Sequence, residues 1–175
     1  MAEIEGEGKG SVLSPPVPLA AHHDLSGFDC GVPALNDWLR QRALKSESRS
    51  ARSYVVCADL SVAAYFCISA GSVERAAAPR KLRRNAPESI PVALIGRLAV
   101  SRAYAGKGLG ADILADALRR IVVASQSIGI AAVLVHAKDD AARAFYKKHA
   151  EFIEYPADSR ILYLPMETLV AACAS

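Results

Sequence analysis

Gly106-Lys107-Gly108-Leu109-Gly110-Ala111 is the stretch of this chain best suited to hold an anion. Glycine lets a backbone come close to a phosphate. The first N–H groups of a helix have no partner inside it, so a glycine loop at a helix start offers them outward. A Walker A loop requires Gly-x-x-x-x-Gly-Lys-Ser/Thr, but Gly108 follows Lys107 and Ser101 stands at the first glycine position. A dinucleotide fingerprint is met in letters by Gly106, Gly108 and Ala111, yet Ser101 to Ala105 separate it from the preceding strand. The residues beyond it leave no room for the second half of a nucleotide fold. A glycine-rich helix start with no ligand stays open beside the anion site.

A second chemical feature is clustered positive charge. Arg40, Arg42, Lys45, Arg49 and Arg52 crowd one segment, and Arg80-Lys81-Leu82-Arg83-Arg84 another. The net charge of +3 says little, but a clustered basic face binds phosphate even in a nearly neutral chain. The alternative is a solvated face. His22 and His23 adjoin Asp24, but no further ligands converge in sequence, so they read as surface residues and no metal site is expected. Cys30, Cys57, Cys67 and Cys173 form no C-x-x-C pair, and Cys57 and Cys67 lie in apolar runs. That pattern reads as a reduced, cytoplasmic protein.

The elements that must position these residues emerge from periodicity. Residues 33–44 read as a helix with Leu35, Trp38, Leu39 and Leu44 on its apolar face. Residues 53–58 and 62–70 are β-rich runs joined at 59–61 as a hairpin. Residues 74–90 are polar and basic with Pro79 and Pro87, predicting an irregular connection with one short helix. PVALIGRLAV, residues 91–100, predicts the central strand. Ile113, Leu114, Ala117, Leu118, Ile121 and Val122 recur at helical spacing after the glycine loop. A buried strand at 131–137, a helix from Asp139 to His149 and a strand at 160–165 complete the order. The implied fold is one mixed α/β domain with a central βαβ crossover.

Composition agrees. A chain of 175 residues that is 52% hydrophobic and 22% charged is neither disordered nor collagen-like. Residues 1–21, rich in Glu, Gly and Pro, read as a loose lead-in to a domain at 22–175. No stretch reaches the ~18–20 apolar residues of a membrane span, and the acidic start does not resemble a signal peptide.

RLAVSRAYAGKGLGADIL resembles the acyl-CoA motif of the GNAT superfamily of N-acetyltransferases, whose loop reads Gln/Arg-x-x-Gly-x-Gly/Ala. Gly108 and Gly110 match its glycines, and Ala105 replaces the usual Gln or Arg. The resemblance implies acetyl-CoA as donor, with its pyrophosphate on Ala105, Gly106, Lys107, Gly108, Leu109 and Gly110. Its pantetheine arm would lie along Leu98-Ala99-Val100. Asp139-Asp-Ala-Ala142-Arg-Ala-Phe145-Tyr146 resembles the family's Asn-x-x-Ala-x-x-Phe-Tyr segment, with Asp139 in place of Asn. Asp139, Ala142 and Phe145 become implied coenzyme contacts, and Tyr146 the acid aimed at the leaving sulfur. No side chain reads as a general base.

FDCGVPALNDWLRQRAL, SYVVC, GRLAV, GKGLG, VHAKDDAARAFYKKHAEF and LYLPMETL, in this order, are more closely similar to the acetyltransferase toxins of type II toxin–antitoxin modules, the TacT-like group. That resemblance implies a GNAT domain with a mostly antiparallel sheet flanked by helices. It also implies acetylation of the amino group of aminoacyl-tRNA, a ribbon-helix-helix antitoxin and a homodimer. Arg40, Arg42, Lys45, Arg49, Arg80, Lys81, Arg83 and Arg84 then become candidate RNA contacts. Arg97 reads two ways, into the cleft toward the RNA 3′ end or out to solvent or a carboxylate. An acetyltransferase acting on a protein or small amine and a non-catalytic binding module are the competing functions.

Overall fold

The computed structural model describes residues 12–47 and 49–175. In chain order its elements are β1 (Val17–Pro18), α1 (Pro33–Gln41), α2 (Ala43–Ser46), β2 (Arg52–Ala58), β3 (Ser61–Glu74), α3 (Arg80–Arg83) and β4 (Ser89–Val100). Next come α4 (Leu109–Ser125), β5 (Ala132–His136), α5 (Asp140–His149), β6 (Ile153–Tyr155), β7 (Asp158–Pro165) and α6 (Met166–Cys173). Short 3-10 turns occupy Arg75–Ala77 and Arg102–Tyr104.

The strands form one sheet in the order β1-β2-β3-β4-β5-β7-β6. Every neighbouring pair is antiparallel except β4 and β5, which α4 joins as the predicted crossover. Asp59 takes φ 54 in the β2–β3 turn, a left-handed conformation that Asp tolerates better than most residues.

Alternation along the strands sorts the core onto two faces. Phe66, Ile95, Val133 and Val135 pack under α4, together with Tyr146 of α5 and Leu169 of α6. Val55, Tyr65 and Ala99 point the other way, under Leu39 of α1 and Ala43 of α2. Ile90, Val92, Leu134 and Tyr163 share that second face and hold Leu82 of α3.

β4 is not paired evenly. It meets β3 from Ser89 to Val100, with a register shift that leaves Gly96 without a partner. It meets β5 only at Val92–Ile95. A bulge bends its strand and re-aims the residues after it. From Arg97 to Val100 the strand is therefore laddered on the β3 side alone among the described residues.

Two expectations need correction. The predicted helix at 33–44 is interrupted at Arg42, where φ is −123, and Leu44 is exposed while Ala43 takes the buried place. Residues 12–21 are not a loose lead-in. Val17 pairs with Val55, Ser14 N donates to Cys57 O at 2.8 Å, Leu19 is buried, and Arg120 Nη2 donates to Pro16 O at 3.1 Å. The packed unit thus begins before residue 22, and the part of the lead-in at 1–11 lies outside the described residues. β6 and α6 carry no sequence expectation: three residues are too few to show a period, and α6 begins directly after Pro165 at the end of a strand.

Candidate active site

The open edge of β4 ends at Val100, and the turn at Arg102–Tyr104 leads from it to the glycine loop. Gly106 and Gly108 adopt φ 77 and 79, and a Cβ at either would meet no other atom within 4 Å. Backbone conformation rather than crowding therefore requires glycine here. Gly108 caps α4, so the outward N–H groups of its first turn face the exposed loop Ala105–Gly108. Lys107 is exposed on that loop.

Gly110 marks where three predicted pieces converge. A Cβ at this position would lie 3.5 Å from the Phe145 ring and 3.9 Å from Val100. The end of β4, the start of α4 and the Phe145 ring of α5 therefore lie side by side at Gly110. Ala142 is half-buried on the same helix. Asp139 is the N-cap of α5, where its Oδ1 accepts from Ala142 N at 2.8 Å. Its carboxylate is already engaged by its own helix.

Tyr146 is buried, with its ring edge-on to Phe145 and Phe152 at 5.4 and 5.7 Å. None of the hydrogen bonds among the described residues involves its hydroxyl. Burial first, and neighbouring Cys67 second, push its pKa up to about 12. The phenol stays protonated at any physiological pH and remains a donor without a partner.

A clasp that periodicity could not predict fixes the start of the loop. Arg102 N donates to Asp29 O at 2.8 Å, Ser101 Oγ sits 3.3 Å from both Asp29 N and Asp29 O, and Ser101 N donates to Ala63 O at 2.8 Å. Asp29 Oδ1 accepts from Gly31 N at 2.9 Å and Asn36 Nδ2 at 3.1 Å, with the Arg102 guanidinium 3.9 Å away. The bonds from Gly31 and Asn36, then the Arg102 and Arg40 charges, hold its carboxyl below the usual carboxylate range. The Asp-Cys-Gly spelling of a tight Asx turn was the available signal.

The basic residues divide. Arg40 donates to the carbonyls of Leu25 and Phe28 and so also ties the loop before α1. Arg42, Lys45, Arg49, Arg80, Lys81, Arg83 and Arg84 are exposed and make no ion pair among the described residues. α1, α2 and α3 share one face of the sheet. Arg97 lies on that face too, with its Cζ 4.0 Å from the centre of the Trp38 ring. It is half-buried, and no carboxylate pairs with it among the described residues.

The sequence matches the family model described as Acetyltransferase (GNAT) family over residues 23–152. It is 43% identical over 158 residues to the tRNA-acetylating toxin of Mycobacterium tuberculosis, covering 90% of this chain and 95% of that one. Its fold is similar to AtaT complexed with acetyl-methionyl-tRNAfMet (TM-score 0.83, 30% identity, 93% and 99% of the two chains). It is also similar to a tyrosine-to-phenylalanine variant of AtaT bound to the C-terminus of the antitoxin AtaR and acetyl-CoA (TM-score 0.80, 28% identity, 94% and 99%). With a β4 edge left open beyond Ile95, two left-handed glycines before α4 and the family match over most of its length, the chain belongs to the GNAT acetyltransferase family.

Proposed function

We propose that this chain is the toxin of a toxin–antitoxin pair that transfers acetyl from acetyl-CoA to the α-amino group of aminoacyl-tRNA, so that the tRNA no longer serves translation. The 43% identity to a tRNA-acetylating toxin across 90% of the chain carries the reading. The cleft suits the chemistry. The free N–H and C=O groups of Leu98–Val100 offer strand-like hydrogen bonds to the amide-bearing pantetheine arm. The turn at Ala105–Gly108 and the first turn of α4, with Leu109 and Gly110, cradle the pyrophosphate by backbone N–H groups. Phe145 and Ala142 wall this site, and Asp139 supports it by capping α5.

In the reaction the amine nitrogen bonds to the acetyl carbon and the carbon–sulfur bond breaks. Nitrogen loses one proton and sulfur gains one. A backbone N–H at the β4 edge supplies the donor for the carbonyl oxygen as charge develops there. A phenol near 12 does not give its proton downhill to a thiolate whose conjugate acid lies near ~8.5. Tyr146 therefore acts chiefly by donating a hydrogen bond to the departing sulfur, while the proton balance closes through the amine. An α-amine with a reference pKa of ~7.7 is substantially neutral at working pH, so no dedicated base is required.

RNA phosphates meet the face that carries α1, α2 and α3. Ile90, which packs with Leu82, precedes Leu98 by eight strand residues, or roughly 26 Å at ~3.3 Å per residue. Arg80, Lys81, Arg83 and Arg84 thus reach well down an acceptor stem, while Arg42, Lys45 and Arg49 lie on and beside α2, on the same face toward β2. The partner antitoxin is of the ribbon-helix-helix type. The protein works as a homodimer in the cytoplasm, where charged tRNA is used.

Mass spectrometry of charged tRNA incubated with enzyme and acetyl-CoA tests the reading. An acetylated aminoacyl-adenosine fragment is expected. Turnover of acetyl-CoA on small amines or proteins with the tRNA unmodified overturns it.

A further inference from the structure

Arg97 is the only member of the candidate RNA-binding set that stands within a strand. Its guanidinium lies over the Trp38 ring at 4.0 Å. Trp38 stacks on Tyr65, with centroids 6.0 Å apart and planes 11° apart, and Tyr65 meets Phe28 edge-on at 5.4 Å. Tyr65 is fully buried, and its hydroxyl donates to Leu35 O at 2.8 Å. That bond anchors the stack to α1, the helix that carries Trp38. Behind Arg97 sits its register partner Cys67, a buried thiol whose pKa burial raises, while hydrogen bonding to the Arg97 side chain and then its charge offset the rise.

This is an unusual way to hold an arginine. A carboxylate partner would neutralise the charge and occupy the N–H groups. An aromatic face attracts the cation through the ring quadrupole and leaves the N–H edge free. No carboxylate pairs with Arg97 among the described residues. Of the five guanidinium N–H donors the Cys67 thiol engages at most a part, and a planar cation with open donors is a bidentate ligand for phosphate. It directly precedes the Leu98–Val100 edge and lies on the face that carries the other free cations.

We propose that Trp38 is a positioning residue, presenting Arg97 to the terminal phosphodiester of the aminoacyl-tRNA acceptor end. The proposal rests on the reading of this chain as a tRNA acetyltransferase. Tyr65 and Phe28 hold the Trp38 plane, and Trp38 holds the Arg97 plane.

The test is a double-mutant cycle with Trp38→Leu, Arg97→Gln and the pair. The readouts are kcat and KM for aminoacyl-tRNA across a salt series, with acetyl-CoA affinity by calorimetry as the folding control. Each single substitution is expected to raise the aminoacyl-tRNA KM about tenfold and leave acetyl-CoA affinity within about twofold. The pair should be no worse than Arg97→Gln alone. Trp38→Leu changes no charge, yet it should flatten the salt dependence of the tRNA KM as much as Arg97→Gln does, by about one unit of slope. Trp38→Phe, which keeps a ring face, should restore most of the loss. Multiplying losses in the pair, an unchanged slope for Trp38→Leu, or a Trp38→Phe variant as impaired as Trp38→Leu overturns the proposal. A wild-type enzyme that leaves aminoacyl-tRNA unmodified removes the tRNA reading itself, and this proposal with it.

Discussion

The glycine loop at 105–110 and the basic face formed by residues 42–49 and 80–84 both meet phosphate in the proposed reaction, yet they are made of different material. The loop offers backbone N–H groups whose directions are set by two left-handed glycines and by the clasp from Asp29. The basic face offers long side chains on separate elements, exposed and unpaired among the described residues. A backbone site is indifferent to most side-chain changes and intolerant of conformational ones. A side-chain site shows the reverse pattern: each charge matters a little and ionic strength matters a great deal. Ala105 illustrates the first half. Its place in the loop is kept by backbone geometry although it contributes only a methyl group where Gln or Arg is usual.

The two regions are coupled most tightly at the point where donor and acceptor meet. Tyr146→Phe removes a hydroxyl with no partner among the described residues and leaves the buried ring in place, so the fold has little to lose. The expected outcome is a kcat lower by about 10²–10³ with the KM for acetyl-CoA nearly unchanged, read by steady-state kinetics. Growth arrest on expression should vanish with it. In the wild type, kcat/KM should rise through the amine pKa of ~7.7 and then level. A group whose pKa is raised to about 12 stays protonated, so Tyr146 adds no falling limb below roughly pH 11. A falling limb near pH 9 would contradict the environment assigned to this phenol.

Gly108→Val tests the backbone side. A non-glycine residue in the left-handed region costs about 1–2 kcal/mol, and a β-branched one more. The strain falls on the turn that aims the N–H groups. Acetyl-CoA affinity by calorimetry should drop tenfold or more, while the KM for aminoacyl-tRNA stays within about threefold. Equal losses on both substrates would erase the distinction between the two regions.

These two sites differ just as much in how far the sequence exposes them. The loop is contiguous, so Gly106, Gly108 and Gly110 show their purpose in a short window, and the strand before and helix after them have clean periods. The βαβ core at 91–136 is legible for the same reason. The hidden features are long-range or very short. The split of β4 comes from one unpaired residue, Gly96, whose effect depends on β3 and β5 together. The Asp29–Ser101 clasp and the Arg97–Trp38 stack join segments far apart in sequence. β1 has two residues and so no alternation to read. Arg40 has a structural task that its cluster does not spell: its bonds to Leu25 O and Phe28 O tie the 25–28 loop.

Asp29→Ala probes the clasp. It removes the acceptor for Gly31 N and Asn36 Nδ2 and the carboxylate beside Arg102, but leaves the backbone bond from Arg102 N to Asp29 O. The loop start should loosen without collapsing. An acetyl-CoA KM raised by about three- to fivefold is expected, with kcat at saturation within about twofold. Asp29→Asn keeps an acceptor for Gly31 and should recover much of it. If Asp29→Ala instead shifts only the tRNA KM, the 28–31 turn serves the acceptor side and the boundary between the regions must be redrawn.

Arg83→Ala should have the smallest effect and is the most direct test of the basic face. Arg83 is exposed on α3 and unpaired among the described residues, at the end of β4 remote from Leu98–Val100. A single phosphate contact there contributes little at physiological salt, so the tRNA KM should rise only about twofold. The signature is the slope: across roughly 50–200 mM salt, the logarithm of tRNA affinity should fall less steeply by about one contact's worth, near 0.7–0.9. The acetyl-CoA KM should keep its own, shallower salt dependence in both proteins, because backbone N–H groups release no counterions of their own. A tRNA slope identical to wild type would mean that RNA does not reach α3. The contact region would then end at Arg42, Lys45 and Arg49, and the ~26 Å span along β4 would not be part of the substrate footprint.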